Sequence, residues 1–169
     1  MGVPLRLWLR HETRESERRT PVTPDAARHL TDNGADVVVE ESPQRAYPVE
    51  HYTAVGCRRV RAGSWVDAPS DTVVLGLKEL PPEPTALVHR HVYFGHAYKR
   101  QRGSDLLLRR FAAGGGTLLD LEYLVDDSGR RVTAFGYWAG YAGAALAVLR
   151  ARGRLDSSLA ATTRDELDR

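Results

Sequence analysis

The feature that most constrains the fold is a segment without charge. After Asp71 the run "TVVLGL" (72–77) holds no ionisable side chain. A strand of that kind must be covered on both faces, which is the condition of a strand inside a parallel sheet. Two further runs of strand length precede it, "LRLWL" (5–9) and the valine-rich "ADVVVEES" (35–42). Between those two, "TPDAARHLTDNG" predicts a helix: Thr23 can cap it, Pro24 suits its first position, and Asn33-Gly34 can end it. Strand, helix and strand in that order make a β-α-β unit with parallel strands.

The alternation continues. "VEHYTAVG" reads as a short helix and "CRRVRAG" as a weak or edge strand. "PPEP" interrupts the chain before "ALVHRHVYFGHA" (86–97), a further strand. "GSDLLLRRFAAGGG" is a helix started near Ser104 or Asp105 and stopped by glycine. "TLLDLEYL" (117–124) is a strand on which Asp120 and Glu122 share a face, and "DDSGRR" turns the chain into "VTAF". A helix rich in small residues runs on from Tyr137, and "LDSSLAATTRDELDR" predicts a last amphipathic helix capped by Asp156 or Ser157. The expected fold is α/β: a Rossmann-like (flavodoxin-like), mostly parallel sheet with helices on both faces, over residues 1–152, with a C-terminal helical appendage over 153–169. At 169 residues the chain is long enough for one well-buried core.

Composition narrows the function classes. A net charge of +2, with basic residues interleaved with acids, gives no electrostatic footprint for nucleic acid. The segment "RHETRESERR" (10–19) reads, for most of its members, as a solvated loop. A single cysteine, Cys57, excludes an internal disulfide and a cysteine-rich zinc site. With no signal-peptide pattern and no span-length apolar window, the expected setting is cytoplasmic, away from membranes. The glycines offer no dinucleotide fingerprint: "GGGT" precedes a strand, and "GYWAGYAGAA" lacks the G-x-G spacing.

The candidates for chemistry stand at strand ends, where open α/β sheets gather ligands. Lys78 directly follows "TVVLGL", and it is one of only two lysines, with Lys99, in a chain that otherwise uses arginine. Lysine can give and take a proton when desolvated, whereas arginine stays charged. As read from position alone, Lys78 is either such a group or a strand-end charge reaching solvent. His96 closes the next strand and is a candidate acid/base group or a structural histidine. His89, His91 and His96 do not make a metal triad, since His96 falls on the opposite face from the other two. Glu122 lies on an otherwise apolar strand, as an edge residue or a buried partner for a cation such as Lys78. Arg19, Arg130 and Arg131 stand at element junctions, where arginine serves for bidentate carboxylate binding or as a turn charge.

Taken in order, "HETR…RTPVTPDAARHL", "VVVEESPQRAY", "APSDTVVLGLKELP", "LVHRHVYFGHAYKRQ" and "GTLLDLEYLVDDSGRRVTAFGYWAGYAGAALAV" resemble the N-terminal half of lysine-forming saccharopine dehydrogenases. "RTPVTP" and "LGLKELP" look more distantly like alanine dehydrogenase and the transhydrogenase N-terminal domain. The resemblance runs from about Leu5 to Val148. It implies two Rossmann-like domains around a cleft, one binding NAD and the other supplying the acid/base groups and most substrate contacts. Members oxidise a secondary amine to an imine, then hydrolyse it to an amino acid and an oxo acid.

By that resemblance Lys78 and His96 take the catalytic positions and Glu122 that of the acid tuning the lysine. Arg19 and Arg131 match arginines that hold substrate carboxylates, and Lys99 and Gln101 line the same pocket. Arg14 stands where the family has a lysine, and Ala97 where a cysteine is common. The family's NAD domain has no counterpart in this sequence. The expectation is therefore a chain with no cofactor of its own, acting on an amino acid/oxo acid pair through imine chemistry. The alternatives are the substrate-binding subunit of a split NAD-dependent dehydrogenase, completed by a Rossmann-domain partner, and a non-catalytic binding or scaffold protein. Self-association as a homodimer is expected from the small-residue helix after Tyr137.

Overall fold

A computed structural model describes residues 4–99, 103–134 and 136–154. They fall into two compact units, divided after Leu124.

The first unit is built on six parallel strands: β1 (Arg6–Leu9), β2 (Asp36–Glu40), β3 (Arg58–Val60), β4 (Val73–Leu75), β5 (Arg90–Tyr93) and β6 (Thr117–Asp120). Their order across the sheet is β3-β2-β1-β4-β5-β6. The chain winds outwards from β1 in one direction and from β4 in the other, so the order reverses between β1 and β4. This is the doubly wound arrangement, and the crevice at that reversal is where such sheets place their ligands.

Helices cover both faces, as the uncharged β4 requires. On one side α1 (Pro24–Asp32) and α2 (Val49–Thr53) pack over Leu7, Leu9, Val37, Val39 and Val73. On the other, α3 (Ser104–Gly114) and a turn around Trp65 cover Trp8, Val38, Val74 and Tyr93. The alternation Leu7, Trp8, Leu9 thus sends successive side chains to opposite cores. Complete burial of each large apolar side chain contributes on the order of 2 kcal/mol. Thr23 caps α1 through Oγ1, which accepts the Ala26 N–H, and Pro24 follows.

Strands end earlier than their apolar runs. The segment 71–77 is strand only over Val73–Leu75, and 86–97 only over Arg90–Tyr93. Residues 117–124 are strand as far as Asp120, whose Oδ1 accepts the Glu122 N–H and closes a turn over Leu121–Tyr123. The local side chain outcompetes the ladder there, so Asp120 and Glu122 do not continue a common strand face.

The second unit holds a small hairpin and a helix. Val125 and Arg131 form an antiparallel bridge around a turn organised by Asp126. Its carboxylate accepts the Ser128 N–H and hydroxyl and the Arg130 N–H. The helix α4 (Gly136–Ala151) follows. The expected helix over 155–169 lies outside the described residues. Among the described residues no helix is long and apolar enough to cross a membrane.

Candidate active site

The segment after β1 is the first surprise. Most of "RHETRESERR" is indeed exposed, but Arg10, Glu12 and Glu17 are buried, which corrects the solvated-loop reading at those three positions. A charge leaves water only with compensation, and each of the three has it. Glu12, 5% exposed, accepts the backbone N–H of Leu77 at 2.6 Å and of Lys78 at 3.0 Å, and it pairs with Arg10 at 3.3 Å. Arg10 in turn donates to the carbonyls of His11 and Lys78 and lies over the Tyr93 ring. The end of β1 therefore grips the loop after β4 from two sides, at the point where the strand order reverses.

Nearby, Glu40 is fully buried and takes donors from Trp8 Nε1, His11 N, Gly63 N and Trp65 N. Arg45 spans Glu40 and Arg10 by donating to both their carbonyls. This framework of satisfied buried charges makes the floor rigid.

On that floor stand the two candidate acid/base groups. Lys78 lies three residues past the end of β4 and His96 three past the end of β5, at corresponding places on neighbouring strands. The two loops are tied together, since Phe94 N donates to Leu77 O and Gly76 N to Val92 O. Lys78 Nζ lies 3.9 Å from Glu17 Oε2. Glu17 is gripped by Arg19, whose N, Nε and Nη2 all donate to its carboxylate. The hydrogen bond from Arg19, with help from Lys78, holds the Glu17 carboxyl below its ordinary range against the effect of burial.

His96 adopts a left-handed backbone conformation, φ 49°, a region that non-glycine residues enter at some cost and that clusters at functional sites. Its ring stacks on Phe94, and Nδ1 faces Glu122 Oε2 at 3.7 Å without a hydrogen bond. Asp120 fixes the surroundings, because its Oδ1 accepts both Gly95 N and Glu122 N. Each acid/base candidate thus has a carboxylate beside it. The pairing differs from the sequence expectation: Glu17 stands next to Lys78, while Glu122 stands next to His96.

The remaining sequence candidates divide. Arg14 is half exposed and engaged with Glu79, Nη2 to Oε1 at 2.6 Å. Arg130 binds Asp126 and Arg131 donates to Thr133 O, both within the second unit. The side chain of Lys99, and Gln101, lie outside the described residues. His89 and His91 are buried with Trp65, edge to face, rather than at the site. Among the described residues no cluster of His, Cys, Asp and Glu is spaced to hold a metal ion.

Sequence reasoning missed Arg10, Glu12 and Glu17. The signal available was position: all three follow the C-terminal end of β1, the strand bordering the reversal point.

Comparison with known proteins adds the following. Residues 8–142 match the family described as "Alanine dehydrogenase/PNT, N-terminal domain". A "Saccharopine dehydrogenase [NAD(+), L-lysine-forming]" of Yarrowia lipolytica is 51% identical over 148 residues, covering 88% of this chain and 40% of that protein. The protein of the same name from Emericella nidulans is 52% identical over 144 residues, covering 85% of this chain and 38% of the relative. The chain thus spans about two fifths of the length of these relatives. Among solved structures, the transhydrogenase from Sinorhizobium meliloti superposes with a TM-score of 0.64 at 19% identity, over 91% of this chain and 46% of that one. That last likeness is one of fold.

Proposed function

This chain belongs to the alanine dehydrogenase/PNT N-terminal domain family, and from that premise we propose that it carries the acid/base half of an amine–oxo acid reaction. The reaction makes or breaks the C–N bond between an amino acid and a 2-oxo acid. The observation that carries the proposal is the pair of matched groups, Lys78 beside Glu17 and His96 beside Glu122, at the ends of adjacent parallel strands. Hydrolysis of an imine needs water to add to the C=N carbon while the nitrogen gains a proton. The resulting carbinolamine then loses the amine as the hydroxyl gives up its proton. His96 activates the water, and Lys78 passes the proton to the departing amine; condensation runs the same steps backwards. Glu17 keeps Lys78 placed, and Glu122 orients the His96 ring. Arg19 supplies a cation for a substrate carboxylate.

No turn of the described sheet carries the glycine pattern that seats a pyrophosphate, so in this reading the chain does not itself hold NAD. A second reading is favoured by the roughly half-identity to relatives named for NAD(+): here a separate NAD-binding chain completes the cleft and adds the hydride step. Two-dimensional exchange NMR of L-lysine mixed with a panel of 2-oxo acids tests the first reading. It expects the protein alone to accelerate exchange between free and imine-bound amine, with NAD neither needed nor bound in calorimetric titration. Exchange at the uncatalysed rate with every oxo acid would overturn it, and micromolar NAD binding to the chain would overturn its cofactor statement.

A further inference from the structure

Asp120 ends β6 in register with Tyr93 at the end of β5, and it is 8% exposed. Its Oδ1 accepts two backbone N–H groups, Gly95 and Glu122, each at 3.1 Å. Gly95 N shares its donor with Tyr93 O, in the turn that closes β5. Gly95 is the residue before His96, and Glu122 is the acid whose Oε2 stands 3.7 Å from His96 Nδ1. One oxygen therefore joins the loop after β5 to the turn after β6, directly beside the acid/base pair. The other oxygen, Oδ2, is buried and makes no hydrogen bond among the described residues, so the side chain acts on its surroundings through Oδ1.

The join is close. A Cβ at Gly95 would come within 3.0 Å of the Leu118 side chain and 3.4 Å of Asp120 Oδ2, so the loop lies this near to β6 because residue 95 has no side chain. The next residue, His96, takes φ 49°, a conformation that a histidine keeps only where its neighbours hold it. The anchor on Gly95 N is one such hold. A second tie lies past the pair, where the rings of Tyr98 and Tyr123 meet edge to face with centroids 5.7 Å apart. The His96–Glu122 contact is thus bracketed, by Asp120 on Gly95 before it and by Tyr123 on Tyr98 after it. Both tyrosines are exposed, whereas Asp120 is buried, and a hydrogen bond shielded from water is the stronger restraint.

We propose that Asp120 is a positioning residue for the acid/base chemistry, holding the His96 ring and the Glu122 carboxylate against each other through Oδ1. The expected effect on rate rests on the acid/base reading above; the placement of the two side chains does not. Geometry rather than charge is the contribution. A side chain that presents an acceptor where Oδ1 lies serves, and a carboxylate carried away from that point does not. Misplacing a reacting group by about 1 Å is enough to cost up to about a hundredfold in rate.

Two variants of the full chain separate geometry from charge. Asp120→Asn keeps an acceptor oxygen at the same reach and removes the ionisable group. Asp120→Glu keeps the carboxylate and carries it one carbon further. Two measurements read them: the nuclear Overhauser contact between the His96 ring and the Glu122 side chain, and the kinetics of imine exchange. Asp120→Asn is expected to keep the contact and to stay within about threefold of the wild-type kcat, since its two hydrogen bonds lose only their charge assistance. Asp120→Glu is expected to lose the contact and to lower kcat by about tenfold or more, with KM within about twofold of wild type. A loss in Asp120→Asn as deep as in Asp120→Glu would overturn the proposal, and so would a wild-type contact and kcat in Asp120→Glu. If circular dichroism shows Asp120→Glu unfolded, Asp120→Ala, which removes the acceptor without adding bulk, takes its place with the same expectations. If the wild type itself does not accelerate imine exchange, the acid/base reading fails, and the contact still decides the role of Asp120. Its loss in Asp120→Glu with retention in Asp120→Asn upholds the placement, and its persistence in both overturns it.

Discussion

The Lys78 ammonium lies 3.9 Å from the Glu17 carboxylate, and three donors of Arg19 hold that carboxylate in place. Glu17 is 5% exposed, whereas Lys78 is a third exposed and Arg19 half exposed on their side chains. The acid is buried and held in place, while the two cations beside it keep part of their side chains in solvent. Glu17→Gln is expected to lower turnover by at least tenfold, since it removes a full charge from beside Lys78 and one arm of the Arg19 fork. Steady-state kinetics on the substrate pair that the wild type accepts, with circular dichroism to confirm the fold, checks this.

Glu12 has a different task. It holds the backbone of Leu77 and Lys78 rather than touching substrate. Glu12→Ala leaves the Arg10 charge buried and two N–H groups unmet, for a loss of about 3–5 kcal/mol. Urea unfolding of the variant against wild type measures this, and Glu12→Gln, which keeps an acceptor, should lose less.

The exit of α3 is closely fitted. A Cβ at Gly114 would overlap the backbone of Leu87. Backbone cannot swing aside as a side chain can, so Gly114→Ala should destabilise by about 1–3 kcal/mol or more. A thermal melt reads it directly. Gly136→Ala, where a Cβ meets nothing, is the control.

His91 makes stability depend on pH. Burial, reinforced by His89, Arg10 and Arg110, lowers its pKa from 6.5 to about 3. Between those values the unfolded chain binds a proton that the folded chain does not. Its contribution is therefore complete above pH 6.5 and is lost as pH falls towards 3, with a slope of at most about 1.4 kcal/mol per pH unit. His91→Phe, which fits among Trp65 and Phe111, should flatten the profile between pH 4 and 6.5 relative to wild type. Parallel profiles for the two proteins would contradict the assignment.

The parallel sheet was legible because its strands are bare of charge at the centre and because Thr23, Pro24 and Asn33 mark the first helix plainly. Lys78 and His96 were legible as strand-end residues. What escaped was the role of charges that interact far along the chain. Arg10, Glu12 and Glu17 sit in a run that looks solvated, and only the approach of β4 to β1 buries them. Strand alternation alone places Glu122 on β6 as a partner for Lys78, but β6 stops at Asp120 and a turn carries Glu122 to His96.

The central claim is that Lys78 and His96 perform the proton transfers. Lys78→Met and His96→Gln, each confirmed as folded by circular dichroism, should reduce the exchange rate between an amino acid and its imine by roughly 10²-fold or more in NMR. Wild-type exchange rates in both folded variants would contradict the account.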